Sequence, residues 1–276
     1  MQLKRDLPFI AIYALVIFAM PLPALADGAA EMQKKLQNPL ASIKLITADN
    51  SIATDTGTTG ETSYGFSLQG LYAIDVPDKK YSFLPRVVVP VLGLEPGTDV
   101  PPVGQPSPDD EKSVWGVGDS VVQFLFAPYT DGAWKWGGGP TLSVPTATDK
   151  QLEGPQWGAG LAGVLVGNFT EKLSFAGIVA NQWGDNGNFN TMTLQPMFYY
   201  SLAPAKSLAY NAVISADWEA SSSNRWTVPL GLSYNQTWDV GGGHGFDFII
   251  GPYYNVIRPD GAPKWQLRFG LTWLFP

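Results

Sequence analysis

The chain has one histidine, His244, set in Gly241-Gly242-Gly243-His244-Gly245, and its nearest approach to a hydrolytic serine is Gly118-Asp119-Ser120. A nucleophilic serine needs a base within hydrogen-bond reach. The strand pattern below puts Ser120 in the outer half of one strand and His244 in a turn at the opposite end, so a lipid-modifying outer-membrane hydrolase is the least favoured alternative reading. One histidine cannot build a zinc site, and there is no cysteine to help it. Gly158-Ala159-Gly160-Leu161-Ala162-Gly163 fits the dinucleotide pattern GxGxxG in letters. That fingerprint works only at a strand–turn–helix junction; here the glycines fall inside a strand and read as small residues giving room in a wall. The acidic loop residues Asp109, Asp110, Glu111 and Asp185 read as solvated charge and not as a calcium site. No catalytic residue, metal or cofactor is expected.

A second group is informative by phase. Gln69, Arg86, Asp119, Gln123, Gln195, Asn211, Asp217, Glu219, Arg225, Asp247 and Arg268 all fall on the polar phase of segments that alternate polar and apolar residues. If that phase faces the inside of a barrel, these side chains must pair with each other or with water. A ladder of opposite charges along a narrow pore both neutralises itself and filters solutes, so these residues are the pore-lining candidates.

The elements that position them are strands. Trp265, Leu267, Phe269, Leu271, Trp273 and Phe275 alternate with Lys264, Gln266, Arg268, Gly270 and Thr272, the period-two mark of a strand with two unlike faces. Leu208, Tyr210, Ala212, Ile214, Ala216 and Trp218 oppose Asn211, Ser215, Asp217 and Glu219 in the same way, and the segments at 225–238 and 245–257 repeat it. None of these apolar faces carries a charge; at mid-membrane a charge on the lipid side costs about 2–4 kcal/mol. The pattern predicts twelve strands near 40–48, 63–75, 81–94, 114–128, 134–145, 156–168, 172–184, 191–202, 208–220, 225–238, 245–257 and 264–275. Connections after even-numbered strands are short; several after odd-numbered ones are long, notably 95–113, the arrangement of periplasmic turns and outer loops in a membrane barrel.

A soluble β-sandwich also alternates, and tryptophan placement separates the two. Trp115, Trp157, Trp183, Trp218, Trp226 and Trp265 fall toward the outer strand ends; Trp134, Trp136, Trp238 and Trp273 fall toward the periplasmic ends. Two belts suit two membrane–water interfaces, whereas a soluble core gathers such rings centrally. Pro85, Pro90, Pro140, Pro145, Pro196, Pro229 and Pro252 lie within the predicted strands and imply bulges or local unpairing.

The first 26 residues read as a signal peptide: Lys4 and Arg5 precede an apolar run over 7–22, and Ala24-Leu25-Ala26 supplies a small-residue cleavage pattern. The mature chain then carries 15 basic and 23 acidic residues, which argues against nucleic acid as a partner. Residues 27–39 predict a short helix, a periplasmic or lumen-plug segment, before a barrel over 40–276. Aromatics at 13% and 30 glycines beside only 15% charge suit strands with one face in lipid.

Several blocks together resemble one bacterial family: Asn38-Pro39-Leu40-Ala41-Ser42, Gly116-Val117-Gly118-Asp119, WGGGPTLSVPTATD (136–149), Trp157-Gly158, LQPMFYY (194–200), WTVPLGL (226–232), GPYYNV (251–256) with Pro259-Asp260-Gly261, and the terminal WQLRFGLTWLFP. The family is labelled "MetA-pathway of phenol degradation" and described as an outer-membrane transporter. The resemblance spans nearly the whole mature chain and implies an all-β transmembrane up-and-down barrel that passes small, aromatic or otherwise apolar molecules. It brings no catalytic or ligand residues. The last strand resembles the signal read by barrel-assembly machinery, with Phe275 followed by Pro276. The expected protein is therefore a porin-like channel in the bacterial outer membrane. Its expected partners are outer-membrane lipid, lipopolysaccharide, the assembly machinery and a small-molecule solute. The competing reading is a non-transporting structural or surface-binding barrel.

Overall fold

A computed structural model describes residues 26–56, 60–94, 114–184, 187 and 189–276. Its strand segments join into one antiparallel sheet, and four pairs of them continue each other along a single line, so that twelve strands result. We number these β1 (Lys44–Thr56), β2 (Glu61–Tyr72 and Ile74–Val76), β3 (Tyr81–Leu94) and β4 (Val114–Val117 and Ser120–Pro128). There follow β5 (Trp134–Val144), β6 (Gly158–Asn168), β7 (Leu173–Gly184) and β8 (Asn190–Ala203). The last four are β9 (Lys206–Asn211 and Ile214–Asp217), β10 (Trp226–Gly231 and Ser233–Gly241), β11 (His244–Ile257) and β12 (Trp265–Phe275). Each pairs with its sequence neighbours, and β1 pairs with β12 from Lys44↔Phe275 to Thr54↔Trp265. Closing the sheet removes both edges, so every backbone donor can be satisfied within the wall, which is what a spanning β-structure requires.

The outer surface is apolar. Leu161, Leu230 and Leu232 are 52–64% exposed, and Ile250, Tyr254, Val256, Trp265, Leu267 and Trp273 on β11 and β12 are 37–51% exposed. So large an exposed apolar band is untenable in water and natural against lipid. Aromatic rings gather at the two ends. Tyr64 stacks on Trp115, Trp218 meets Trp226 edge-on, and Tyr254 meets Trp265 at 4.8 Å on one side. On the other, Trp134, Phe169, Phe175 and Phe198 form one cluster, and Phe246, Trp273 and Phe275 another. The two-belt expectation holds, and the chain is an outer-membrane β-barrel.

Proline explains where the wall is interrupted. The line of β2 breaks at Ala73, opposite Leu84-Pro85. In β4, pairing with β3 passes from Val117↔Val91 to Val121↔Val88, so three residues face Val89 and Pro90, a bulge. The break in β10 at Leu232 faces Pro252. Strand β9 breaks at Ala212-Val213 because both of its neighbours lack a donor there: Pro196 lies on the β8 side and Pro229 on the β10 side. Pro140 faces a gap in the β4–β5 pairing, while Pro145 falls just beyond the end of β5.

Strand β1 corrects the sequence reading. The predicted strand over 40–48 is instead Lys44–Thr56. The stretch DNSIATDT is too polar to announce a strand, but continuous pairing with β2 and β12 holds it extended. Leu40 and Ile43 instead turn inward and are buried. Ahead of them, helix α1 (Ala26–Leu36) ends in Lys34 and Lys35, whose charges suit a helix C-terminus. The helix packs against β10 and β11, and Met32 and Leu36 join the cluster formed by Leu71, Leu125, Met197 and Tyr199. Gln37 Oε1 accepts a 3.0 Å hydrogen bond from Ser174 Oγ. The segment thus packs inside the barrel at the end with the short turns. The 1–25 part of the expected signal peptide, the long loop over 95–113 and Asp185 lie outside the described residues.

Candidate functional site in the barrel lumen

The inward phase of the strands meets in a cavity of about 190 Å³. Toward the periplasm it is apolar, lined by Leu36, Ile43, Leu71, Leu125, Ile178 and Met197. Above this layer stands a polar one with Asp49, Gln69, Arg86, Gln195, Asn211 and Arg268, and Asn235 and Asp247 occupy the β10–β11 wall of the same cavity.

The polar layer is organised around two guanidinium groups. Arg86 on β3 donates through Nη1 to Gln123 Oε1 and through Nη2 to Gln69 Oε1, both at 2.6 Å. Its planar fork is thus fixed by two neutral carbonyls. Arg268 on β12 donates through Nη2 to Asp49 Oδ2 at 2.9 Å and through Nη1 to the Asn211 carbonyl at 2.7 Å. Its guanidinium also lies over the Tyr253 ring, 5.7 Å from the centroid. Gln195 Nε2 donates to Asn211 Oδ1 at 2.7 Å. The Asn211 carbonyl that Arg268 binds stands at the β9 break, and Tyr253 Oη accepts from the Asn211 N–H at 3.3 Å. Lumen side chains therefore restore hydrogen bonds that the proline-flanked wall has lost.

Of the predicted pore-lining set, the structure brings Arg86, Gln123, Gln195, Asn211, Asp247 and Arg268 to this region together with Gln69. The other four stand at the outer strand ends. The Asp119 carboxylate accepts from the backbone N–H groups of Thr146 and Ala147 through Oδ1 and of Gly154 and Gln156 through Oδ2, at 2.7–3.2 Å. It anchors the outer loop between β5 and β6. Asp217 Oδ1 accepts from the Glu219 N–H, Glu219 is exposed, and Arg225 lies over the Trp218 ring while donating to the Ala220 carbonyl. Period-two phase assigns a face but not a height along the strand, so it gathered these four with the central residues.

Asp49 was missed, since the predicted first strand stopped at residue 48. Its signal is its spacing from Leu45 and Thr47, which share its phase and line the same cavity.

Ser120 bonds to Thr146 Oγ1 at 2.8 Å, at the outer end of β4. His244 opens β11 beside Trp273, just after the turn from β10 in which Gly241, Gly242 and Gly243 all take positive φ. The two are not brought together. Gly158, Gly160 and Gly163 lie inside β6, paired on both sides with no helix following. Among the described residues no group of three His, Asp or Glu side chains forms a metal site.

No protein-family model matches the chain, and no curated protein matches it in sequence. Solved structures do match in fold. An outer-membrane channel from Pseudomonas putida F1 superposes with a TM-score of 0.61 at 16% identity, over 87% of this chain and 98% of that one. The NanC porin superposes with a TM-score of 0.50 at 10% identity, over 83% and 98%. Both share the closed barrel at identities that speak for the fold alone.

Proposed function

We propose that this barrel is a passive outer-membrane channel for small molecules with a substantial apolar part, aromatic compounds included. The observation that carries this reading is the layered lumen: a cavity apolar on its periplasmic side and polar above, framed by Leu36 at the end of α1. A permeant with an apolar body and one polar group matches both layers. The resemblance to phenol-degradation transporters and the channel fold of the structural neighbours support the same class. Residues 1–26 act as a cleaved signal peptide in this reading, the terminal strand is the element offered to the barrel-assembly machinery, and the outer rim meets lipopolysaccharide.

Twelve strands enclose a bore between that of filled eight-stranded barrels and that of open 16–18-stranded porins, and α1 narrows it. Purified protein in planar bilayers is expected to give small discrete conductance steps. Deleting residues 27–38 is expected to raise them by about an order of magnitude, the effect of unblocking one end of a narrow pore. The competing non-transporting barrel is favoured by one feature, the full occupation of both Arg86 and Arg268 Nη groups by protein acceptors. Absence of conductance and of solute flux in liposomes, for the whole chain and the truncated one alike, would establish that reading instead.

A further inference from the structure

Resting on the channel reading, we infer that the β10–β11 wall of the lumen holds a recognition site for a hydrogen-bond-donating head group, an ammonium or a phenolic hydroxyl, on an otherwise apolar permeant. The site is built from acceptors. Asp247 Oδ1 accepts from Thr237 Oγ1 at 2.6 Å, yet no Lys or Arg among the described residues forms an ion pair with it; the only lumen carboxylate so paired is Asp49, with Arg268. Asn235, one strand over and only 6% exposed, presents a side-chain carbonyl oxygen with no hydrogen-bond partner. Both residues line the same cavity, as does Ser233.

A buried acceptor without a donor and a carboxylate without a cation are costly features unless something supplies both. The two lumen arginines cannot. Arg268 is held by Asp49 and Asn211, and Arg86 by Gln69 and Gln123. A donor on the permeant satisfies the wall, while Ile178, Met197 and Ile249, which line the same space, receive the apolar remainder. An anionic head group is disfavoured by repulsion from Asp247, so the site also sets a charge preference.

The test uses the full mature chain in lipid nanodiscs, titrated calorimetrically with four probes of one shape: 4-ethylbenzylamine, 4-ethylphenol, 4-ethylbenzoate and ethylbenzene, each against empty nanodiscs. The amine or the phenol is expected to bind about tenfold more tightly than the benzoate, as a charge-assisted hydrogen bond allows. Which of the two leads identifies the head group. Asp247→Asn is expected to remove about tenfold from that affinity and to leave ethylbenzene unchanged. Heat-modifiable migration on gels confirms that the variant folds. Asn235→Leu, which deletes the second acceptor and keeps the carboxylate, provides the same comparison should Asp247→Asn not assemble. Benzoate binding as tightly as the amine and the phenol, or folded variants with unaltered preferences, would overturn the inference. Conductance without head-group preference defeats this site and leaves the channel reading standing; preference without conductance does the reverse.

Discussion

The walls on the two sides of the barrel are held by different means. Strands β6 and β7 pair without a break from Gly158↔Gly184 to Asn168↔Ser174, and β5 and β6 from Trp134↔Gly167 to Ser143↔Gly158. This sector is built from small residues that let backbones approach: a Cβ on Gly160 would fall 2.0 Å from the Asn181 carbonyl oxygen. Between β8 and β11 the wall is interrupted at Ala212-Val213 and at Leu232, each facing proline, and β9 pairs with β10 over only two short stretches. There side chains take the place of the ladder. Arg268 and Tyr253 hold the backbone of Asn211, Tyr210 Oη donates to the Pro229 carbonyl at 2.8 Å, and Ser233 and Tyr253 share a 2.6 Å hydrogen bond. The polar lumen is thus partly structural, because groups that face the cavity also complete the wall.

Four substitutions sharpen or break this contrast. The largest effect is expected from Arg268→Ala, which leaves Asp49 without its cation and the Asn211 carbonyl without a donor; about 3 kcal/mol of stability is lost, given the partly buried pair. Urea unfolding in liposomes measures it, and an unchanged midpoint would mean that the broken sector does not depend on its lumen contacts. Next, Gly160→Val drives a side chain into the Asn181 backbone, which cannot yield as a side chain can, and costs about 2 kcal/mol in the same assay. A neutral result would show the continuous sector to be as adaptable as the interrupted one.

Tyr253→Phe removes the hydroxyl shared with Ser233 and Asn211 and is expected to cost about 1 kcal/mol, read as an earlier loss of the heat-resistant band on gels. The smallest change is expected from Pro252→Ala, which returns a backbone N–H opposite the Leu232 break and raises the unfolding free energy by at most about 1 kcal/mol. A fall would mean that the proline ring itself packs the wall.

Much of the fold could be read from residue order because a membrane barrel obeys a simple code. Trp265, Leu267 and Trp273 announce a lipid face, and Arg268 between them announces the lumen. Prolines forewarned of interruptions, and the interruptions occur opposite them. The code failed where a strand has no apolar phase to display. In β1 the run from Asp49 to Thr56 looks like a loop, and with it went Asp49, the partner of Arg268. It also failed along the barrel axis: Asp119, Asp217, Glu219 and Arg225 have the same phase as the central residues, yet they stand at the outer rim and serve loops.

Residue order by itself determined the alternation, the number of strands, the two aromatic belts and the sites where proline withholds a donor, since each follows from local chemistry repeated every second residue. Tertiary structure alone decided which polar groups meet. Asp49 and Arg268 are 219 residues apart and bond only because the first strand closes on the last. The backbone of Asn211, beside the interruption in β9, is secured by Tyr253 of β11 and Arg268 of β12, far from it in sequence. Pairing across a closed sheet depends on register and stagger, and those are properties of the whole ring.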